Sequence, residues 1–179
     1  MKTLWLTEQQ AEQILQHAIR ESPREACGLI AGRNYRAEDI VPVPNIAADP
    51  TRYYEMDHRA LVRAMFEIER RGLTLIAIYH SHPDGDTLPS RTDIRQAYYR
   101  DVVYVIVSLS SSTPRLAGWL IQPHQVDVVH IHVGSRPPPE EPPELSNSHK
   151  FAIVIGVILT FVFMIVVSLS LLPPAPEIP

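Results

Sequence analysis

Leu73-Thr-Leu-Ile-Ala-Ile-Tyr-His80-Ser81-His82-Pro83-Asp-Gly-Asp-Thr-Leu-Pro89-Ser90-Arg-Thr-Asp93 is the stretch on which the fold turns. Its first seven residues are almost wholly apolar, as in a strand covered on both faces. Asp84 to Pro89 is a polar loop, and Ser90 opens a helix reaching about Tyr99. Upstream, Asp57 caps a second helix over about 58–71, with Ala60, Leu61, Ala64, Met65 and Ile68 on one side and Gly72 ending it. Ala26 to Ala31 is another short apolar run, punctuated by Gly28 and Gly32, which suits a buried strand. Ile40-Val41 and Arg52–Met56 read as short strands. At the N-terminus, Thr7 and Gln10 fit a capping box. Ala11, Ile14, Leu15, Ala18 and Ile19 then share a helical face over about 8–21, and Pro23 closes it. Downstream, Val102–Leu109, Leu116–Ile121 and Val126–Val133 are three more strands. The order is that of a mixed α/β domain with helices packed against a central sheet.

Composition narrows the function. The chain has 179 residues, a net charge of −4 and one cysteine. Without a basic excess, binding to nucleic acid through phosphate contacts is not expected. A single Cys27 excludes a disulfide framework, a cysteine zinc finger and a Cys-x-x-Cys redox pair. It also excludes a nucleobase deaminase site, which needs Cys-x-x-Cys with His-x-Glu. There is no His-Glu-x-x-His helix and no P-loop.

The chemistry-bearing residues lie at the end of the opening run. Residues two apart in a strand face the same way, so His80 and His82 are placed to bind one metal ion together. Asp93 follows eleven residues after His82. Two imidazoles and a carboxylate leave a fourth tetrahedral position for water, which is the ligand set of a catalytic zinc site rather than a closed structural one. Zinc would lower the pKa of that water and polarise a carbonyl. A base is then required, and Glu25 is a candidate. Each piece alone has a plainer reading. A lone His-x-His is ordinarily two residues on the polar face of a strand, and His130-Ile-His132 is read that way. Ser90-x-x-Asp93 alone is a helix capping box, and Asp93 in a first helical turn is favoured by the helix dipole.

Taken together, His80, His82, Ser90 and Asp93 complete the pattern His-x-His-x7-Ser-x2-Asp. Pro23-Arg24-Glu25-Ala26-Cys27-Gly28-Leu29-Ile30-Ala31-Gly32 looks like its companion block, and Asn45, Pro83 and Pro89 also fit. The sequence resembles the JAMM, or MPN-plus, zinc metalloproteases over most of residues 5–123, and its compact length is similar to the minimal prokaryotic members. The resemblance implies an α/β MPN fold, similar to that of cytidine deaminases. It implies zinc held by His80, His82 and Asp93, with Glu25 moving the proton between the attacking water and the leaving amine. Ser90 would hydrogen-bond the oxyanion. The implied reaction is hydrolysis of a peptide or isopeptide bond at the C-terminus of a ubiquitin-fold protein, whose extended tail could add as a strand beside the site. Two alternatives remain: a processing peptidase that trims a ubiquitin-like sulfur-carrier protein, and a membrane-anchored, non-catalytic zinc-binding interaction module. Cys27 is read as a small buried residue rather than a nucleophile. Tyr53, Tyr54, Tyr98, Tyr99 and Tyr104 are read as core or rim packing.

The C-terminal end differs from the rest. Residues 151–172 carry no charge, and a helix of that length would rise roughly 33 Å, about one hydrocarbon core. The expectation is a transmembrane helix. Lys150 precedes it and no Lys or Arg follows, so the N-terminal domain is expected on the cytoplasmic side of the membrane. No signal peptide is evident. Nine of the 17 prolines fall after residue 135, which makes 136–150 an extended spacer or, alternatively, a docking site for a proline-reading domain. The domain organisation expected is a catalytic domain at 1–135, the spacer at 136–150, the anchor at 151–172 and a short tail at 173–179.

Overall fold

The computed structural model describes residues 2–136 and 147–170. The chain divides into two units, Met1–Pro138 and Pro139–Pro179. In the first unit the order is β1 (Thr3–Leu6), α1 (Glu8–Glu21), β2 (Cys27–Arg33), β3 (Arg36–Val43), α2 (His58–Arg70), β4 (Thr74–His82), α3 (Arg91–Arg95), β5 (Val103–Ser108), β6 (Arg115–Gln122) and β7 (Gln125–Val133). The second unit carries α4 (Asn147–Ser170).

The strands form one mixed sheet, closed into a barrel in the order β1-β3-β2-β4-β5-β6-β7. β4 lies between β2, antiparallel to it, and β5, parallel to it. The near-continuous apolar runs of β4 and β5 follow from that central place, since both of their faces are covered. One apolar cluster joins Ile14 and Ala18 of α1 to Ile30, Tyr79 and Val105, and a second joins Ala64 and Ile68 of α2 to Leu29, Ile78 and Tyr104. Helices therefore cover the sheet on two sides.

The capping box at Thr7 forms in both directions with Gln10, and Asp57 accepts a hydrogen bond from the Ala60 N–H at 2.7 Å, so α1 and α2 begin where the sequence places them. Gly72, at φ 66°, supplies the left-handed residue that ends α2 and turns the chain into β4.

Two local expectations need correction, and one strand is new. β1 is not among the expected strands; it pairs in parallel with both β3 and β7 and closes the sheet. Four residues are too short to show an alternating pattern. Residues 52–56 are not a strand. They form a loop making only a single bridge, Asn45 to Met56, because Asn45 takes up the backbone groups a partner strand would use. Helix α3 stops at Arg95 instead of reaching Tyr99, where the chain breaks to hand the Tyr99 N–H to the Tyr104 hydroxyl at 3.0 Å.

The membrane anchor is also corrected. Among the described residues no helix is long and apolar enough to cross a membrane. The single-pass membrane location, the membrane as a partner and the cytoplasmic orientation inferred from the anchor fall with it. The proline-rich stretch at 137–146 and the tail at 171–179 lie outside the described residues.

Candidate metal centre and active site

The C-terminal end of β4 carries His80 and His82 on one face, as its two-residue period requires. Between them Ser81 faces the other way and is fully buried. Its hydroxyl accepts the Ala26 N–H at 2.8 Å, while its own N–H donates to the Ala26 carbonyl at 2.9 Å. Ser81 thus fastens the histidine segment to the residue next to Glu25, beyond the last ladder pair Cys27–His80.

Asp93 reaches the same point from the first turn of α3. Ser90 caps that turn: its hydroxyl accepts the Asp93 N–H at 3.1 Å, and its own N–H donates to Asp93 Oδ2 at 2.6 Å. The capping box and the candidate ligand are therefore the same residues. Asp93 Oδ1 lies 3.5 Å from His80 Nε2, Asp93 Oδ2 lies 3.4 Å from His82 Nε2, and the two Nε2 atoms are 3.1 Å apart. Tetrahedral ligands about 2.0–2.1 Å from a zinc ion stand about 3.3–3.4 Å from one another, so the spacing suits such an ion.

The chemistry of the donors points the same way. His82 Nδ1 is 2.8 Å from the Asp86 carbonyl. A carbonyl only accepts, so Nδ1 carries the proton, and in the neutral ring Nε2 presents a lone pair toward the Asp93 carboxylate. Two acceptors facing each other need a cation between them. The same demand raises the His82 pKa: burial opposes protonation but is outweighed by hydrogen bonding to Asp93 and to the Asp86 carbonyl, with the Asp93 and Glu25 charges helping. Asp93 shows the mirror effect. Burial favours its neutral form, yet hydrogen bonds from His80, His82 and Ser90 hold it far below the usual carboxylate range. His80, wholly buried, is pushed down chiefly by burial, and its ring stacks on Tyr54 with centroids 4.5 Å apart. His80, His82 and Asp93 could hold a metal ion.

Glu25 precedes β2 and is only 7% exposed. Its N–H donates to the Pro50 carbonyl at 2.7 Å. Its carbonyl accepts from Asn45 Nδ2 at 2.9 Å. Asn45 is itself buried and saturated: Nδ2 also donates to the Tyr53 carbonyl, and Oδ1 accepts the N–H groups of Ala47 and Glu55, each at 3.0 Å. The Glu25 carboxyl is pushed up to about 7 by burial, with His82 opposing and Asp93 and Asp49 adding. The influence of His82 and Asp93 places Glu25 within electrostatic reach of the triad. Thus the structure brings Glu25, His80, His82, Ser90 and Asp93 to one end of the sheet.

Cys27 is fully buried, its thiol is pushed up to about 12 chiefly by burial, and it donates weakly to the Val43 carbonyl, all of which fits packing rather than attack. Tyr54 is more than packing. Besides covering His80 it lines, with Tyr53, Tyr98, Tyr99 and Tyr104, a groove of about 830 Å³. Reading sequence alone missed Ser81 and Tyr54 as parts of the site. A hydroxyl at a position facing away from two candidate ligands was a usable signal for Ser81. No local pattern marks Tyr54.

A mixed sheet with two histidines and an aspartate converging at one end defines an α/β domain built around a candidate three-ligand metal centre. The chain belongs to the prokaryotic homologs of the JAB domain, whose family model matches residues 7–122. Among its relatives, a probable TtuB-protein conjugate cleaving protease from Thermus thermophilus is 47% identical over 95 residues, which are 53% of this chain and 63% of that protein. A desampylase from Haloferax volcanii is 38% identical over 54% of this chain and 74% of its own length. A CysO-cysteine peptidase from Mycobacterium tuberculosis is 37% identical over 51% of this chain and 64% of its own. The matched region thus spans a little under two thirds of two of these relatives. Among solved structures, a protein from Desulfitobacterium hafniense superposes with a TM-score of 0.67 at 31% identity, covering 74% of this chain and 93% of its own. A JAB1/MPN domain protein from Archaeoglobus fulgidus shares the fold, with a TM-score of 0.50 at 17% identity over 75% of this chain and all of its own.

Proposed function

We propose that this chain is a zinc-dependent peptidase or isopeptidase that cleaves at the C-terminus of a ubiquitin-like protein. The observation that carries the proposal is the convergence of His80, His82 and Asp93 at 3.1–3.5 Å beside a buried Glu25. The names of the relatives, which include a conjugate-cleaving protease, a desampylase and a peptidase, support the class of substrate.

His80 Nε2, His82 Nε2 and one Asp93 oxygen would hold the ion. When bound, zinc supplies Lewis acidity toward a water and toward the carbonyl under attack. Glu25 takes a proton from the attacking water and passes it to the departing amine. A carboxyl whose pKa has been pushed up to about 7 is matched to exchanging a proton at neutral pH. Ser90 is exposed, and its hydroxyl oxygen already accepts the Asp93 N–H, which leaves its O–H free to donate to the oxyanion. The tyrosine-lined groove leading from Tyr54 receives the extended tail.

The mycobacterial relative, named as a peptidase rather than for conjugate cleavage, favours a second reading: trimming of a ubiquitin-like sulfur-carrier protein by the same residues. Paired substrates separate the two. One carries a linear extension beyond its terminal Gly-Gly, and the other carries a lysine-linked adduct. Preferential cutting of the adduct supports the isopeptidase, and preferential cutting of the extension supports the processing peptidase. If zinc binds but neither is cut, the non-catalytic binding role is favoured.

A further inference from the structure

The seven-residue loop between His82 and Ser90 has an ordering of its hydrogen bonds that the ligand set alone does not require. Three successive carbonyls of this loop each accept one side-chain hydrogen bond. Ser108 Oγ donates to the Gly85 carbonyl at 2.6 Å, His82 Nδ1 to the Asp86 carbonyl at 2.8 Å, and Trp119 Nε1 to the Thr87 carbonyl at 2.7 Å. The middle bond selects the tautomer of His82. The outer two come from the neighbouring strands of the barrel. Ser108 ends β5 directly opposite His82 in the ladder and is fully buried, while Trp119 lies on β6 opposite Tyr104.

We infer that Ser108 and Trp119 are positioning residues for the metal centre, fixing the Asp86 carbonyl so that His82 keeps its proton on Nδ1 and offers Nε2 to the ion. The physical reason is local. A polar loop of glycine, aspartates and prolines has no ladder of its own, so the direction of its carbonyls is set by whatever they bond to. With both neighbouring carbonyls pinned, the peptide units on either side of Asp86 have little freedom to rotate. Removing either pin lets the Asp86 carbonyl turn toward solvent. His82 then loses the partner that orients its ring. Ser108 is held in turn by Ser110, whose hydroxyl lies 2.9 Å from its Oγ, and the Trp119 ring packs against the apolar cluster under α2, so both donors are themselves fixed. Outer partners of this kind typically govern metal affinity by 10- to 100-fold.

This inference rests on the reading of His80, His82 and Asp93 as metal ligands, and its test does not depend on turnover. Full-length protein and the variants Trp119→Phe, Ser108→Ala and Ile121→Val are loaded with zinc, and metal is withdrawn with a graded chelator. Trp119→Phe keeps an aromatic ring but no donor. Ile121→Val thins the same apolar cluster without touching the loop. Trp119→Phe and Ser108→Ala are each expected to weaken zinc about tenfold and to change the visible absorption of the cobalt-substituted protein, with the fold retained by circular dichroism. Ile121→Val is expected to lower the melting temperature while leaving both readouts as in wild type. Wild-type zinc affinity in both loop variants, or a loss in Ile121→Val equal to theirs, overturns the inference while leaving the metal centre intact. Failure of the wild-type protein to bind zinc overturns the metal reading itself. If one loop variant does not fold, the other carries the same comparison.

Discussion

Replacing Glu25 by glutamine should make the metal-free protein more stable at alkaline pH, and should remove the activity of the zinc-loaded protein. Burial pushes the Glu25 carboxyl up from 4.5 to about 7, with His82 opposing and Asp93 and Asp49 adding. A group whose folded pKa exceeds its unfolded one favours the folded state fully only below the unfolded value, and that advantage is lost as pH rises through the folded value. Wild-type protein stripped of metal therefore loses stability between about pH 4.5 and 7, because the folded state resists an ionisation that the unfolded state accepts. The gap of about 2.5 units corresponds to about 3 kcal/mol above pH 7.5. Glutamine has no such ionisation. Titrations common to both proteins cancel in the comparison, apart from that of His82, which feels the Glu25 charge and is held up less strongly in the variant. Differential scanning calorimetry in the presence of a chelator should show similar melting temperatures at pH 4.5 and a gap favouring Glu25→Gln of roughly 10 °C at pH 8.5. A gap that does not widen with pH, or one that favours wild type at pH 8.5, would refute the reasoning. It would mean that the carboxyl is well solvated and not poised for proton transfer.

Other consequences follow from the same geometry. Asn45→Ala removes both donors and the acceptor from a saturated buried amide, leaving the Glu25 carbonyl and the Ala47 and Glu55 N–H groups without that partner. It is expected to cost about 2–4 kcal/mol in urea unfolding and to lower kcat in whatever protein still folds. Gly28→Ala would place a methyl 2.5 Å from the Tyr79 ring and its hydroxyl. Since Tyr79 OH pairs with His17 Nδ1 at 2.9 Å, the change should destabilise by about 1–3 kcal/mol, measured as a lower denaturation midpoint. Cys27, buried and with its thiol pushed up to about 12, should resist iodoacetamide at pH 8 in the folded protein and react promptly once unfolded, as intact mass will show.

The parts of the fold legible in the sequence are those where one periodic signal and one punctuating residue agree. Helix α1 lies between the Thr7 cap and Pro23, helix α2 between Asp57 and Gly72, and strand β4 is an apolar run ending in His-Ser-His. The triad was legible because a strand's two-residue period and a capping box bring specific atoms together over thirteen residues, with little left to tertiary chance. Legibility fails where long-range partners decide. β1 is a strand because β3 and β7 flank it, not because four residues say so. Residues 52–56 are kept out of a ladder by a single asparagine side chain. Ser108 and Trp119 reach the loop from 23 and 32 residues further along the chain, which no local pattern reports. The apolar C-terminal segment shows the opposite error. Composition alone suggested a membrane span, whereas among the described residues no helix meets the length and apolarity required.

The most direct test of the central claim is intact-mass spectrometry on the zinc-loaded full chain incubated with ubiquitin-like proteins, one with residues beyond a terminal Gly-Gly and one with a lysine-linked adduct. Glu25→Gln, with its zinc content verified by elemental analysis, runs alongside. The expected result is a single cut after Gly-Gly by the wild-type protein, lost in Glu25→Gln even though its zinc remains bound, and lost in wild type on chelation. Cutting that persists in Glu25→Gln, or that is indifferent to removal of zinc, would contradict the assignment of His80, His82, Asp93 and Glu25 to one hydrolytic site.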